Sequence, residues 1–522
     1  MNQNSRTRNS ITNLLANIFY QLLIIVLTFL SRRVFIENLG IDFLGIGGLF
    51  TNILQILSLA ELGIGSAISF SMYKEIANKN QKKLQQLNTY YKTLYNRIAL
   101  IVLIIGLAVL PFLKYLIKLE NEIDNIEWYY LIFLSDTVFS YFFVYKTTIV
   151  NADQNGYKLK FLSCIIELTK YFLQMIMLIC FKNYFLYLIV QILCTFIGNV
   201  IKSKKAEQWY PFIKESVELD RNEKIDLWNN IKSMIFYKFG GVILNNTTNI
   251  LTSVLVSTTM VGYYSNYTMI YNKVSFCISL FFSSIQPSIG NLNVTSTKEK
   301  KYNTFKILNL LSYWIFSFAC IGIYFLAEDV IVAMSGAKTF LLDKSILIIS
   351  VINYYIQGML NTSYLFRETT GLFKLAKYSM LVCTVLNLIL SLILGNIYGL
   401  FGILLATGIA RLATNIWFEP YILYKKFFER NPKEYYIEQI LKIILCVFVI
   451  IIMTPVISII NIDNLYFRIL IKFIICCIIP NIIYILVFKN KEEFIYLLNK
   501  LKEIYIKTIN IFKENFKNKK DA

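Results

Sequence analysis

From Leu14 to Phe488 the chain is a succession of apolar stretches joined by short polar connections. Each stretch is close to the roughly 20 residues a helix needs to cross the hydrocarbon of a bilayer. No other feature constrains the fold as much. In lipid every backbone polar group has to be satisfied internally, so apolar runs of this length are expected as helices. The spans read from the sequence are Leu14–Leu30, Leu44–Phe70, Ile98–Leu119, Trp128–Val150, Phe161–Phe181, Tyr184–Ile201, Ser233–Ser257, Val261–Ile289, Ile307–Leu326, Ser345–Phe366, Tyr378–Leu394, Leu400–Trp417, Ile440–Ile460 and Phe467–Phe488. Composition agrees, with 56% hydrophobic and 16% charged residues; soluble domains carry about a quarter charged.

Fourteen spans would place both ends of the chain on one side. The basic connections, after every even-numbered span, all fall on that side, and the positive-inside rule makes it the cytoplasm. The net charge of +20 is therefore read as loop lysine, not as a nucleic-acid surface. The longest connection, Lys202 to Lys232, is too short for a soluble domain, and no cleavable signal is expected at the start.

Several chemistries are excluded or weakened. There is no histidine, hence no histidine base, histidine metal ligand or Ser-His-Asp triad. The nine cysteines lie in apolar runs without CxxC spacing and read as small buried hydrophobes. No Gly-Lys pair occurs, so there is no phosphate-binding loop for ATP of that type. An ion gradient or the membrane potential would have to supply uphill work.

The most informative charges lie inside the spans. An ionisable group in a spanning helix costs at least about 2.5 kcal/mol on insertion scales, so it faces protein or water. The second span holds Glu61, with Arg32 and Arg33 before it and a basic loop behind it. Asp136 sits in the fourth span, Glu167 and Lys170 in the fifth, Lys238 in the seventh, Lys273 in the eighth and Arg411 in the twelfth. Each also has a plainer reading. Arg32, Arg33 and Lys238 could snorkel to an interface. Glu61 and Asp136 could be satisfied structural carboxylates, and Glu167 and Lys170 are spaced to pair with each other.

The two halves echo each other. LGIDFLGIG around Gly45 resembles STTMVGYYSN around Gly262 at an offset of 217; NADQNGYKLKF matches RETTGLFKLAKY at 215, and TFIGNV matches RLATNIW at 216. A shared offset implies two six-helix lobes, 1–220 and 221–430. Two further helices at 431–490 and a basic cytoplasmic tail at 491–522 follow them. Six is even, so the copies enter the membrane in the same sense, as a parallel repeat. Two such lobes about a central cavity point to alternating access, and so to transport.

The segments LAELGIGSAISFSMYKEIANKN (from Leu59), VGYYSNYTMIYNKV (from Val261) and FRETTGLFKLAKY (from Phe366) resemble the Wzx-type polysaccharide flippases. These belong to the MOP exporter superfamily, together with the lipid II flippase and the MATE drug exporters. The resemblance covers the first twelve spans. It implies a non-enzymatic, all-α transporter of the bacterial inner membrane. Its cargo would be an undecaprenyl-diphosphate-linked oligosaccharide, moved to the outer leaflet. Membrane lipids, a polysaccharide polymerase and glycosyltransferases are the implied partners. No cofactor is implied, and the coupling ion is left as H+ or Na+. Arg32, Arg33, Lys238, Lys273 and Arg411 become candidates for the diphosphate, and Glu61 and Asp136 for coupling or gating. Glu61 resembles the acidic residue in the AEG segment of the lipid II flippase. Two departures stand out. The seventh span has Thr247-Thr248 where the family often has an acid. The eighth has Tyr263-Tyr264-Ser265-Asn266-Tyr267 where the lipid II flippase resembles YYADR. The alternative is a MATE-like cation-coupled drug or metabolite antiporter, whose cavity would call for carboxylates.

Overall fold

The computed structural model describes residues 3–61, 64–119, 123–153, 155–370, 372–500 and 502–503. Among them the chain is helical throughout and contains no strand. The helices are α1 (Gln3–Leu39), α2 (Ile41–Leu57), α3 (Ile64–Ala77), α4 (Gln81–Val109), the single turn α5 (Leu113–Leu116), α6 (Ile126–Ala152), α7 (Gly156–Phe181) and α8 (Tyr184–Trp209). They continue with α9 (Arg221–Leu255), α10 (Thr258–Thr295), α11 (Lys298–Ser335), α12 (Lys344–Thr370), α13 (Phe373–Ala413), α14 (Asn415–Ile422), α15 (Lys433–Ser458) and α16 (Leu465–Phe488).

Every span expected from the sequence has a helical counterpart. Among the described residues, nine helical stretches are long and apolar enough to cross a membrane, and the one at Tyr378–Phe428 contains two of the expected spans. Helices α6, α9 and α12 are long enough but too polar to qualify. The expected second span is divided: α2 ends at Leu57, a 3-10 turn runs over Ser58–Glu61, and α3 begins at Ile64. Broken helices at membrane depth are tolerated only where protein or a water-filled cavity satisfies the freed backbone.

Helix ends follow local chemistry. Asn80, Asn183 and Asn464 cap α4, α8 and α16 by accepting from the amides of Lys83, Leu186 and Phe467 at 3.1–3.2 Å. Such a cap is worth about 1 kcal/mol. Gly40, at φ 89°, is the single residue between α1 and α2, a left-handed turn that glycine makes without Cβ strain.

The described chain forms two compact units. The first comprises Met1–Thr268, Ile331–Leu342 and Met380–Thr407; the second Met269–Val330, Asp343–Ser379 and Gly408–Ala522. In the first unit the largest core gathers α2, α3, α4 and α6 around buried Phe50, Tyr91, Tyr95 and Tyr130. Phe35, Leu178, Tyr184 and Leu188 form a smaller one. In the second unit α15 and α16 pack on α11 through Tyr313, Ile321, Val449, Met453 and Tyr484. The opposite face of α15 bears exposed Ile440, Ile444, Val447 and Ile451. In water such a face would be a liability; in a bilayer it is the lipid contact.

One contact inside the first unit joins two segments that match in sequence at an offset of 217. A Cβ on Gly45 would run into the carbonyl of Thr258 and lie 3.2 Å from Gly262 N. A Cβ on Gly262 would run into the carbonyl of Ile41 and lie 3.1 Å from Gly45 N. Thr259 Oγ1 donates to Asp42 Oδ1 at 2.5 Å across the same junction. Gly45 corresponds to Gly262, Ile41 to Thr258 and Asp42 to Thr259, all at the offset of 217. The contact is thus reciprocal.

This junction has no room for a methyl group, because the atoms in the way are backbone. Gly45→Ala and Gly262→Ala should each destabilise the protein by at least the 1–3 kcal/mol typical of overpacking. Gly322→Ala, where nothing lies within 4 Å, should be neutral or stabilising by up to about 1 kcal/mol. Thermal unfolding of the detergent-solubilised variants checks this; equal midpoints for Gly45→Ala and Gly322→Ala would remove the close approach.

Candidate functional site

In the first unit Arg32 lies half-buried on α1, eight residues before Gly40. Its Nε donates to Asn266 Oδ1 at 2.9 Å and its Nη2 to Ser265 Oγ. Ser265 Oγ donates on to the carbonyl of Gly262 at 2.6 Å, which ties the arginine to the glycine junction. Both partners are neutral. Among the described residues no carboxylate pairs with Arg32. Asn266 is fully buried, and its Nδ2 has no hydrogen-bond partner among those residues. A cation and an unused amide donor therefore sit side by side with too few acceptors. A buried unpaired donor costs about 1–3 kcal/mol, and an anion would satisfy both groups. The residues that depart from YYADR, Ser265 and Asn266, are the ones holding Arg32.

Arg33 behaves differently. It points to the exposed side of α1, where Nε bonds Glu37 Oε1 at 2.8 Å. A helical i,i+4 pair of this exposure contributes only a few tenths of a kcal/mol. The structure therefore separates the two adjacent arginines into a buried one and a surface one.

Glu61 sits half-buried at the break between α2 and α3 and accepts from Tyr95 Oη at 3.0 Å. Tyr91 Oη donates in turn to Tyr95 Oη at 3.1 Å. The two rings are edge-to-face at 4.6 Å, and Tyr141 adds a third ring 5.7 Å from Tyr95. A carboxylate at the end of a hydroxyl relay has the parts needed to take up or release a proton or bind a small cation. Asp136, on α6, accepts from Gln191 Nε2 of α8 at 3.2 Å. Glu167 and Lys170 form the pair their spacing predicts, at 2.6 Å. Glu61 and Asp136 share no hydrogen-bond partner among the described residues. Lys238 belongs to α9, but its side chain lies outside the described residues.

The second unit holds the remaining candidates. Lys273 is half-buried on α10. Arg411, half-buried on α13, reaches the carbonyl of Asn353 at 3.5 Å, a long contact for a hydrogen bond.

Sequence reading passed over this unit's most buried charges. Arg367, assigned to a connection, is buried in the last turn of α12 and pairs with Glu419 of α14. Its guanidinium also covers the ring of Tyr364 at 4.4 Å. Asp329, assigned to an outer loop, lies within α11 and binds Arg468 at 3.0 Å and Lys472 at 2.5 Å, both on α16. Lys442, buried on α15, sits 3.3 Å from Glu438. Glu419 could have been found by the same insertion-cost argument that picked out Glu61, since it lies in the apolar run NIWFEPYIL. The partner could not, because Arg367 is far away in sequence.

Comparison with solved structures finds similar all-α folds among membrane transporters. The lipid II flippase MurJ, in an inward closed conformation, superposes with a TM-score of 0.63 at 18% identity, over 91% of this chain and 98% of that one. An inward-facing multidrug-resistance MATE transporter of the MOP superfamily gives 0.59 at 14% identity, over 77% and 97%. A mutant of the Vibrio cholerae MATE transporter VcmN gives 0.54 at 15%, over 82% and 100%. No protein-family model and no curated protein matches the chain.

The Arg367–Glu419 pair can be tested directly. Both side chains are under 10% exposed, and removing one partner of a buried pair typically costs 3–5 kcal/mol by stranding the other. Glu419→Ala or Arg367→Ala should lower the thermal midpoint strongly, whereas Arg367→Met combined with Glu419→Leu should recover most of the loss. A double variant as unstable as the worse single variant would show that the charges do not act as a pair.

Proposed function

We propose that this chain is a flippase. It would carry an undecaprenyl-diphosphate-linked oligosaccharide from the inner to the outer leaflet of the bacterial cytoplasmic membrane by alternating access, with both termini in the cytoplasm. The observation that carries this reading is the acceptor-poor cluster of Arg32 and Asn266, in which, among the described residues, a guanidinium has only neutral partners and the neighbouring amide nitrogen has none. A diphosphate supplies the missing acceptors, and arginine binds phosphate bidentately while staying charged. The fold supports the same choice. MurJ, whose name describes a lipid II flippase, spans 91% of this chain, more than either MATE structure does.

Arg33, Lys238, Lys273 and Arg411 are proposed as further cations along the head-group path, and Glu61 with Asp136 as coupling or gating groups for H+ or Na+. Outward movement of an anionic head group is favoured by an inside-negative potential, at about 2.3 kcal/mol per charge per 100 mV. Membrane lipids and the polymerase and glycosyltransferases that handle the same oligosaccharide are the proposed partners. The antiporter reading has one feature in its favour, the carboxylates Glu61 and Asp136 inside the first unit. A cationic drug would need such groups.

Depleting the protein in its own cell separates the two. Lipid-linked oligosaccharide should accumulate and stay inaccessible to a glycosidase or lectin added outside. Arg32→Ala should complement at least about tenfold less well than wild type, the factor for one charged hydrogen bond of 1.5 kcal/mol or more. Unchanged lipid intermediates together with raised sensitivity to cationic drugs would reject the flippase and favour the antiporter.

A further inference from the structure

The first unit also contains a groove of about 700 Å³ between α4, the start of α9 and the segment before it. Thr89, Thr93, Arg97 and Ile101 follow one another at four-residue spacing along α4, so they form one stripe on that wall. The facing wall of α9 presents Arg221 and Lys224, then Ile225 and Trp228, then Ile235. Both walls therefore grade from polar and cationic at their N-terminal ends to apolar further along. Leu94 and Ile98 line the same groove, and Ile101, Ile225 and Trp228 are exposed.

The polar end is built, not incidental. Gln85 Nε2 donates to the carbonyl of Phe212 and Gln86 Nε2 to that of Glu218, both at 2.9 Å. The amide of Val217 donates to Thr89 Oγ1 at 3.1 Å, and Tyr90 Oη to the carbonyl of Lys224 at 3.3 Å. Lys83 pairs with Glu223 across the same seam. These bonds hold the segment before α9 against α4. Three cations line the groove against a single carboxylate, Glu218, which lies 3.3 Å from Lys224. Among the described residues neither Arg97 nor Arg221 has a carboxylate partner.

We propose that this groove binds an anionic membrane phospholipid. Its phosphate would lie among Arg97, Arg221 and Lys224, and its acyl chain would run along Ile98, Ile101 and Trp228. The charge selects an anionic head group. The matched gradient on the two walls selects a ligand whose apolar part is continuous with its charged part. A free phosphate would use only one end of the groove.

The test uses the whole protein in phosphatidylcholine bilayers doped with phosphatidylglycerol whose chains are brominated. Subtracting Trp228→Phe emission isolates Trp228 from the other four of the chain's five tryptophans. Brominated phosphatidylglycerol should quench Trp228 at a lower mole fraction than brominated phosphatidylcholine does. Each cation removed by Arg97→Gln or Lys224→Gln should weaken that preference about fivefold, near the value of one charge at a membrane surface. Arg221→Gln provides a second, independent variant should the first pair unfold. Equal quenching by the two lipids in the wild type would overturn the proposal, as would a preference that survives in a folded double variant. Recovery of emission by unlabelled polyprenyl diphosphate at a lower mole fraction than unlabelled phosphatidylglycerol would also overturn it, by assigning the groove to substrate.

Discussion

The close approach of Gly45 and Gly262 is the constraint on which most of the first unit depends. Lipid does not drive helices together as water does, so association in a membrane relies on packing and interhelical hydrogen bonds, and small residues let backbones meet. At this junction the starts of α2 and α10 lie backbone against backbone, each glycine beneath the other helix's carbonyl. The Thr259–Asp42 bond closes the same contact. Because the contact is reciprocal, a side chain added on either copy would disrupt both. The junction also sets the height of Ser265, one turn along α10, and through it the position of Arg32.

Arg32 is handled differently from the most buried charges of the second unit. In the second unit the most buried charges are matched: Arg367 with Glu419, Asp329 with Arg468 and Lys472, and Lys442 with Glu438. The first two of these pairings tie α12 to α14 and α11 to α16. Among the described residues, Arg32 in the first unit binds only neutral oxygens. A neutral acceptor orients a guanidinium without cancelling its charge. Had an aspartate stood at position 266, the same geometry would have made a structural salt bridge and left little attraction for an anion. Asparagine there keeps the shape and leaves the charge available.

The fold was largely legible because its main signal is length and apolarity, which need no partner to be read. All the expected spans have helical counterparts, and two of the segments matched at an offset of 217 meet in one contact, Gly45 against Gly262. Beyond the Glu167–Lys170 pair, what could not be read was pairing. Arg32 and Arg33 are neighbours in sequence with the same chemistry, and only the turn of α1 decides that one meets Asn266 and the other Glu37. Arg367 and Asp329 were assigned to connections because hydropathy drops near them, yet both lie within helices that run past the apolar core. Their partners are distant along the chain, and no spacing rule reaches them. The division of the second span at Glu61 was equally hidden, since its flanks remain apolar on both sides of the break.

That break gives Glu61 a character the other charges lack. The 3-10 turn over Ser58–Glu61 interrupts the helical ladder between α2 and α3, and an interrupted ladder in a membrane must be held by its surroundings. Here the surroundings include the carboxylate itself, through the relay from Tyr91 to Tyr95 to Glu61. Tyr95 donates to an oxygen of Glu61. If that oxygen took up a proton or bound a cation, the acceptor capacity on which Tyr95 relies would fall, and the hydrogen bond joining the break to the tyrosine core of α4 would weaken. A group whose occupancy alters the support of a helix break is placed to convert ion binding into a change of helix geometry. Asp136 lies in the middle of the unbroken α6, with Gln191 of α8 as its partner. It has no comparable leverage. Of the two carboxylates proposed for coupling, Glu61 is therefore the one whose setting can carry the conformational consequence, and Asp136 the one whose setting favours a local role in joining α6 to α8.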